Sequence, residues 1–404
     1  MTTDTLPTID WMAADFQTDI ERAAAAIAPF QEKGGPGFVR SQRGIEVVNY
    51  DTAVALTRDP RFSLAMPHKL KIIGITEGAA ARSALNFLFS REGVDHVRAR
   101  KACAPWFTAS GAEKLRAQTR QWVGEWLDAA AGKEDDFEFL GEISNRLPST
   151  LFCAIIGAPV SDAPFIQHMS EEMMLLTAPP MPGNAERIEA AAGKTEAYLL
   201  GEAEKRRSNP GEDLLSHLVK VQQEGTIDDN DILAVVFNAL VGSTDTTSAQ
   251  ICLSLQSLAA HPDQWELLKN DPSLAPKAVM ELLRYNPGAW SVQRSPYETL
   301  EYEGLEIKPE DTLFPCVFAA NNDESVFPDP RRLDITRDQP ASPLNFGMGR
   351  HGCLGRMITL MEQEEVLVAV TQKWSNLTVL ESNFTGQMFA LAPHAFRVSF
   401  SVAQ

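Results

Sequence analysis

Cysteine is scarce in this chain. Its five thiols, Cys103, Cys153, Cys252, Cys316 and Cys353, are scattered over 404 residues and none belongs to a C-x-x-C pair. A disulfide framework, a zinc ribbon and a thioredoxin-like motif are thereby excluded. Basic charge is also short: 36 Lys and Arg stand against 54 Asp and Glu, a net charge of −18. Nucleic acid and anionic membrane both require a positive footprint, so neither is an expected partner. No apolar run approaches the ~20 residues of a membrane span. The opening stretch MTTDTLPTIDWMAADF has neither the basic region nor the apolar core of a secretion signal. Repeats, charge blocks and long Gly/Ser linkers are missing too. What is present is ordinary globular material, 44% hydrophobic and 22% charged, enough to bury an extensive core. A cytoplasmic monomer is the expectation.

Along the chain, Gly44 to Tyr50 reads as a short strand and Asp51 to Arg58 as a helix stopped by Asp59-Pro60. Helical periodicity then dominates over roughly 94–107, 111–131, 137–157, 161–176, 184–207, 212–223, 228–260, 263–269 and 275–285. Pro179 to Pro182 and Pro328 to Pro330 read as loops. Around 290–318 alternation and turns, as in Leu300 to Leu305, predict short strands and hairpins. A helix returns near 354–373 and strands are predicted over 376–402. The expected class is mostly α with a minor β portion, a single domain over 1–404 with residues 1–40 packing on it.

One predicted helix is unusual. Asp228, Asp229, Asn230 and Asp231 mark its start. Ile232 to Val241 is apolar on every side, so the helix belongs in the interior. Running to Ala260, it is about 45 Å long at ~1.5 Å per residue. Yet its middle is polar: Gly242-Ser243-Thr244-Asp245-Thr246-Thr247. Buried polar groups are costly unless partnered, so a cavity, water or chemistry is implied there.

The second unusual stretch is Phe346-Gly-Met-Gly-Arg-His-Gly-Cys-Leu-Gly355. Gly347-x-Gly349-x-x-Gly352 mimics a dinucleotide fingerprint, but Ser342-Pro343 stands where that motif needs a strand and little chain follows. Glycines flanking Cys353 would let backbone approach a flat ligand. A helix begins just after it, and amides pointing at the sulfur would lower its pKa and favour a thiolate iron ligand. Taken alone, the residue could equally be a packed loop cysteine.

Phe346-x-x-Gly349-x-His351-x-Cys353-x-Gly355 resembles the haem-ligand loop of the cytochrome P450 family, in the variant with His where many members have Arg. Glu281-Leu-Leu-Arg284 resembles the family's Glu-x-x-Arg pair, and Asn321 to Arg332 the segment that completes a Glu-Arg-Arg cluster, a role placed on Arg332. His96-x-x-x-Arg100 resembles the site that binds the haem propionates, to which Arg294 and His351 would add two further donors. Asp245-Thr246 resembles the acid–alcohol pair beside the oxygen-binding face, and Thr246 can bond back to the Gly242 carbonyl. Ser243 departs from the small residue, commonly Gly, usual there. The resemblance runs from about residue 40 onward.

What it implies is a P450 fold with a long central helix over haem b (iron protoporphyrin IX), held through its metal by Cys353. The activity implied is a monooxygenase that uses O2 and takes electrons from NAD(P)H through a ferredoxin reductase and a ferredoxin. Asp245 and Thr246 would relay protons through water. Arg98, Arg100, Lys101, Arg350 and Arg356 suggest a local basic patch for the ferredoxin. A small, apolar substrate would lie among Phe87, Phe89, Met173, Phe237, Leu240, Val241, Thr244, Trp290, Val292, Met388 and Phe389. Arg82 and His68 could recognise a carboxylate, or lie in solvent. Three alternatives remain: a peroxygenase using H2O2, which the acid–alcohol pair argues against; a haem-based sensor or carrier, which would require a signalling domain; and a non-haem helical structural protein, which would leave four ordered motifs unexplained.

Overall fold

The computed structural model describes the chain at every position except 1, 2, 12–15, 32–36, 65, 179, 180, 387 and 404. The loop reading at Pro179-Pro180 therefore falls outside the described residues.

The central helix begins as its sequence dictates. Asp228 Oδ1 accepts the Asp231 N–H at 2.8 Å, and Asp231 Oδ2 accepts the Asp228 N–H at 3.1 Å, a reciprocal cap. Ile232, Ala234, Val235, Val236, Phe237 and Leu240 are at most 2% exposed. The helix is nonetheless not continuous, contrary to the single span expected. Asp229–Ser243 and Asp245–Ala259 are separate helices, with Thr244 between them at φ −81°, ψ −70°. Hydroxyls compete with amides at the break: Thr246 Oγ1 donates to Gly242 O at 3.3 Å, Ser243 Oγ donates to Leu240 O at 3.3 Å, and the Thr244 hydroxyl pairs with that of Ser170.

Around the first half of this split helix pack Gly78–Asn86, Gly93–Cys103, Arg146–Ile156, Ala163–Met174, Asn184–Ser208 and Leu214–Gln223. The second half lies against Ala275–Tyr285 and Arg356–Lys373. Arg356–Lys373 is also tied to Ala109–Asp128 by ion pairs from Arg116 and Arg120 to Glu365 at 2.8 and 2.7 Å.

The β portion is peripheral. Phe38–Arg40 and Ile45–Val47 pair antiparallel, and Leu313–Pro315 adds parallel to the second. Trp374–Gly386 and Leu391–Val402 form a long hairpin. Phe137–Glu138 joins it, opposite Arg397 and Val398, where a helix start had been expected. Phe137 instead sets its ring edgewise against Trp374 and Phe400, each at 6.1 Å. The predicted hairpin at Leu300–Tyr302 and Leu305–Ile307 turns through Glu303 and Gly304, both at positive φ, the conformation such two-residue turns require. One helix, Val317–Asn321, replaces the end of the predicted strand region.

Three further helices escaped the sequence reading: Ile20–Gln31, Met66–Ile72 and Gly78–Asn86. The last is capped from far away. Glu189 accepts the N–H groups of Ala79 and Ala80 at 2.7 and 2.9 Å.

Residues near the amino terminus pack inward. Arg43 lies between the Trp11 and Phe314 rings, 4.1 and 4.3 Å from their centroids. It pairs with buried Glu46 at 2.8 Å and donates to Ser291 Oγ at 3.0 Å and to the Met388 carbonyl.

The Glu281 cluster corrects one assignment. Glu281 and Arg284 have fully buried side chains joined at 2.8 Å. The third member is Arg337, whose Nε reaches Glu281 Oε1 at 3.1 Å. Arg332 is exposed and contributes only its carbonyl, which accepts from Arg284 at 3.4 Å and Arg337 at 2.9 Å. The chain turns between these positions so that Asp334 N–H and Gln339 Nε2 also donate to Glu281, at 3.1 and 2.8 Å. Arg337→Ala is accordingly expected to cost ~1.5–3 kcal/mol, as for a hydrogen bond to a buried charge. Arg332→Ala is expected to stay within ~0.5 kcal/mol. Urea denaturation of the two variants checks the order.

Candidate active site

The loop before Arg356–Lys373 is shaped by glycine. Gly349 sits at φ +73°, and a Cβ there would lie 3.0 Å from Arg58 Cα and 3.1 Å from Thr57 O. Only glycine fits without displacing backbone. The loop folds back so that Cys353 N–H donates to Phe346 O at 2.8 Å. Cys353 opens onto two cavities, of about 230 and 350 Å³, that share Phe89, Gly242, His351, Cys353 and Thr359 as walls. A larger surface hollow of about 620 Å³ between Ala55, Arg58 and Tyr302 has none of this chemistry.

Desolvation within the fold pushes the Cys353 thiol pKa up, while the amides of Gly355 and Arg356 and the charges of Arg100 and Arg356 pull it down as expected; the side chain itself is exposed to the cavity. A bound metal cation reverses that balance, since a coordinating thiol is deprotonated outright.

Of the four predicted propionate donors, two are orphaned in a way that fits two carboxylates. His96 is 3% exposed and its Nε2 has no partner. Its ring lies 4.6 Å from that of His351, whose Nδ1 is likewise buried and unpartnered. His351 Nε2 is held by Glu92 Oε1 at 3.1 Å. Burial, with His351 and Arg100 nearby, lowers the His96 pKa to about 4. Arg294 is 5% exposed and bonds only carbonyls, of Gln293 at 2.7 Å and Thr57 at 3.4 Å; burial lowers its pKa to about 10. Arg100 Nη2 donates to Gly352 O at 2.6 Å, bracing the ligand loop. A buried guanidinium and two unsatisfied imidazole nitrogens call for anionic oxygen. The residues present fit a haem: Cys353 would bind its iron, and Arg294, His96 and His351 its propionates. Phe346, Gly347 and Gly355 flank the sulfur.

Across the cavity, Thr246 lines the wall with Val241 and Gly242. Asp245, the residue before it, is half-buried and is not among the wall residues. Burial and the charge of Glu171 raise its pKa to about 7, against the bond it receives from Thr244.

Six of the eleven predicted pocket residues line the larger cavity: Phe87, Phe89, Met173, Val241, Val292 and Phe389. Five do not. Trp290 is fully buried and stacks on Phe318 at 4.5 Å, facing Trp11 and Phe16. Thr244 spends its hydroxyl on Ser170. Leu240 is core. Phe237 packs edgewise on Phe87 at 5.3 Å. Met388 supplies a carbonyl to Arg43 and Ser291. Helix rotation and strand alternation place such neighbours on opposite faces. Of the two proposed carboxylate-recognising side chains, Arg82 pairs with Glu196 at 3.4 Å and His68 is exposed, away from both cavities.

Several polar wall residues went unread: Lys69, Gln250, Gln293, Thr359, Glu362 and Gln363. Glu362 and Gln363 are 2% and 0% exposed, and Glu362 Oε1 and Gln363 Nε2 have no partner. The only hint in the sequence was a polar run, Glu362 to Glu365, within an otherwise apolar helix.

Thiol, orphaned donors and split helix together define a haem-thiolate enzyme. The family model described as Cytochrome P450 matches residues 86–400, and the chain belongs to that family. Luteothin monooxygenase of Streptomyces thioluteus is 29% identical over 403 residues, covering 98% of this chain and 97% of its own. The 6-deoxyerythronolide B hydroxylase of Saccharopolyspora erythraea is 29% identical over 383 residues, covering 92% and 90%. The crystal structure of CalO2 superposes with a TM-score of 0.89 at 22% identity, covering 98% of this chain and 99% of the other. The chain is a P450 monooxygenase, and its cofactor is protoporphyrin IX haem.

Burial raises the Glu362 pKa to about 8 from an ordinary 4.5. The folded chain then holds a proton that the unfolded chain releases between those values, so stability falls as pH rises through that window. Glu362→Gln removes the slope. Denaturant titrations should show the variant and parent alike near pH 4.5, with the variant ahead by ~2–4 kcal/mol above pH 8, at ~1.4 kcal/mol per pK unit and discounted for relaxation.

Proposed function

We propose that this P450 inserts one oxygen atom from O2 into a largely apolar small organic substrate, drawing electrons from NAD(P)H through a ferredoxin reductase and a ferredoxin. The observation that carries the reading is the larger cavity. Phe87, Phe89, Met173, Met174, Leu176, Val241, Val292 and Phe389 form its apolar walls, and Cys353 and Thr246 both open onto it. Apolar walls with a few placed polar groups suit a small organic ligand, and methionines such as Met173 and Met174 adapt to its shape. The haem supplies the oxygen-activating redox chemistry when bound, and the thiolate favours O–O cleavage.

The chain's own part is positional and protonic. Asp245 has a carboxyl poised near neutrality, where a group both takes and gives a proton readily. The Thr246 hydroxyl, already donating to Gly242 O, keeps its lone pairs for a water in the groove opened by the break. Both roles belong to this proposal, as do the haem contacts assigned to Cys353, His96, Arg100, Arg294, His351, Phe346, Gly349 and Gly355. So do a single domain over 1–404 and a cytoplasmic monomer. The one stretch among the described residues long and apolar enough to cross a membrane, Asp229–Ala259, is mostly packed inside the protein.

Ferredoxin docking beside the ligand loop draws on fewer free charges than the sequence offers. Arg98 is paired with Asp231 and Asp95, Arg350 with Glu92, and Arg100 points to Gly352 O. Lys101 is exposed.

Two measurements test the reading. The reduced carbon-monoxide adduct should show the red-shifted Soret band of thiolate ligation, and Cys353→His should lose it; an imidazole-type band in the parent overturns the assignment. With ferredoxin, reductase and NADH, turnover should exceed that driven by H2O2; the reverse order would point to a peroxygenase. Asp245→Asn is expected to lower the ferredoxin-driven rate by roughly 10²-fold, as for loss of a proton-transfer group, with substrate affinity unchanged in a spectral titration.

A further inference from the structure

The larger cavity contains an ammonium group that neither its apolar walls nor the haem contacts explain. Lys69 lies on the short helix Met66–Ile72 and lines the cavity beside Leu64, Met66 and Phe389. Its Nζ sits 4.1 Å from the centroid of the Phe389 ring. No carboxylate pairs with it among the described residues. The chain has 54 Asp and Glu, yet among the described residues none of them lines this cavity. The other cation on the wall, Arg294, is bound to the Gln293 and Thr57 carbonyls and is assigned to the haem propionates.

A lysine usually keeps its ammonium in water while burying only its stem. Here the half-buried side chain turns its head onto the cavity wall, and desolvation lowers its pKa to about 7. The ring face of Phe389 compensates only in part. A cation in an apolar, water-poor cavity attracts an incoming anion far more strongly than one at the surface. Pairing with a carboxylate would also restore the full charge of the ammonium.

We propose that Lys69 is a specificity-determining residue that binds the carboxylate of an otherwise apolar substrate, so that the cavity selects aliphatic or aromatic acids over their neutral analogues. The carboxylate anchors at the Lys69 and Phe389 end, and the apolar body extends along Met173, Val241 and Val292 toward Thr246. This rests on reading the cavity as the substrate site.

The test is a spin-shift titration of the haem Soret band in the holoenzyme. Octanoic, decanoic, dodecanoic and tetradecanoic acids are compared with their methyl esters. The best acid should bind at least ~10-fold tighter than its ester, as for a desolvated charge-assisted bond. Lys69→Met should abolish that preference while leaving ester affinity unchanged, and Lys69→Arg should retain it. Lys69→Gln serves if the Met variant fails to take up haem. Equal binding of acid and ester, or a preference that survives Lys69→Met, overturns the proposal. So does the absence of a shift with either series when the carbon-monoxide spectrum is that of a thiolate. A non-thiolate spectrum would instead overturn the underlying site assignment.

Discussion

A polar group taken out of water must find a partner, and this one constraint organises the molecule. The interior helix carries six residues from Gly242 to Thr247 that a buried helix should not have. Their hydroxyls find partners by breaking the helix: Thr246 turns back on Gly242, Ser243 on Leu240, and Thr244 reaches Ser170 on a neighbouring helix. The break opens a groove at the cavity wall. Where partners are missing beside the ligand loop, as at His96 Nε2 and His351 Nδ1, the protein is shaped around something it does not itself encode. Satisfied groups build the frame, and unsatisfied ones outline the cofactor.

The same logic separates what was legible in the sequence from what was not. The long helix, its acidic start, the glycine-flanked Cys353 and the Glu281–Arg284 pair are local patterns and could be read directly. The Gly78–Asn86 helix could not, because Glu189, more than a hundred residues away, supplies its cap. Arg337 was passed over for Arg332 because the irregular stretch between Asp329 and Gln339 has no periodicity from which to predict which side chain turns inward. Trp290 was read as a cavity residue because its neighbours are; alternation along the extended chain sends it the other way, into an aromatic cluster. Lys69 was missed because a basic residue near His68 and Lys71 reads as surface until the fold turns it onto the cavity wall.

The reactive loop is built on the same division of labour. Its geometry comes from Gly349, which passes so close to Thr57 and Arg58 that no side chain fits. Its electrostatics come from groups on other elements, such as Arg100, Glu92 and His96. Neither set is among the residues that line the cavity with Phe87, Met173 and Phe389. Shape of the ligand loop, charge at its rim and fit of the substrate are therefore carried by separate residues, and one can vary without dismantling the others.

The Arg43 guanidinium, wedged between Trp11 and Phe314, is bonded to Ser291 and to the Met388 carbonyl. Those two positions adjoin Val292 and Phe389, which shape the substrate chamber. One buried rivet thus fastens the amino-terminal sheet to the chamber's lining. Rigidity at the place of chemistry is in part imported from a region that takes no part in it, and mechanical slack introduced there would be felt as poorer discrimination among substrates.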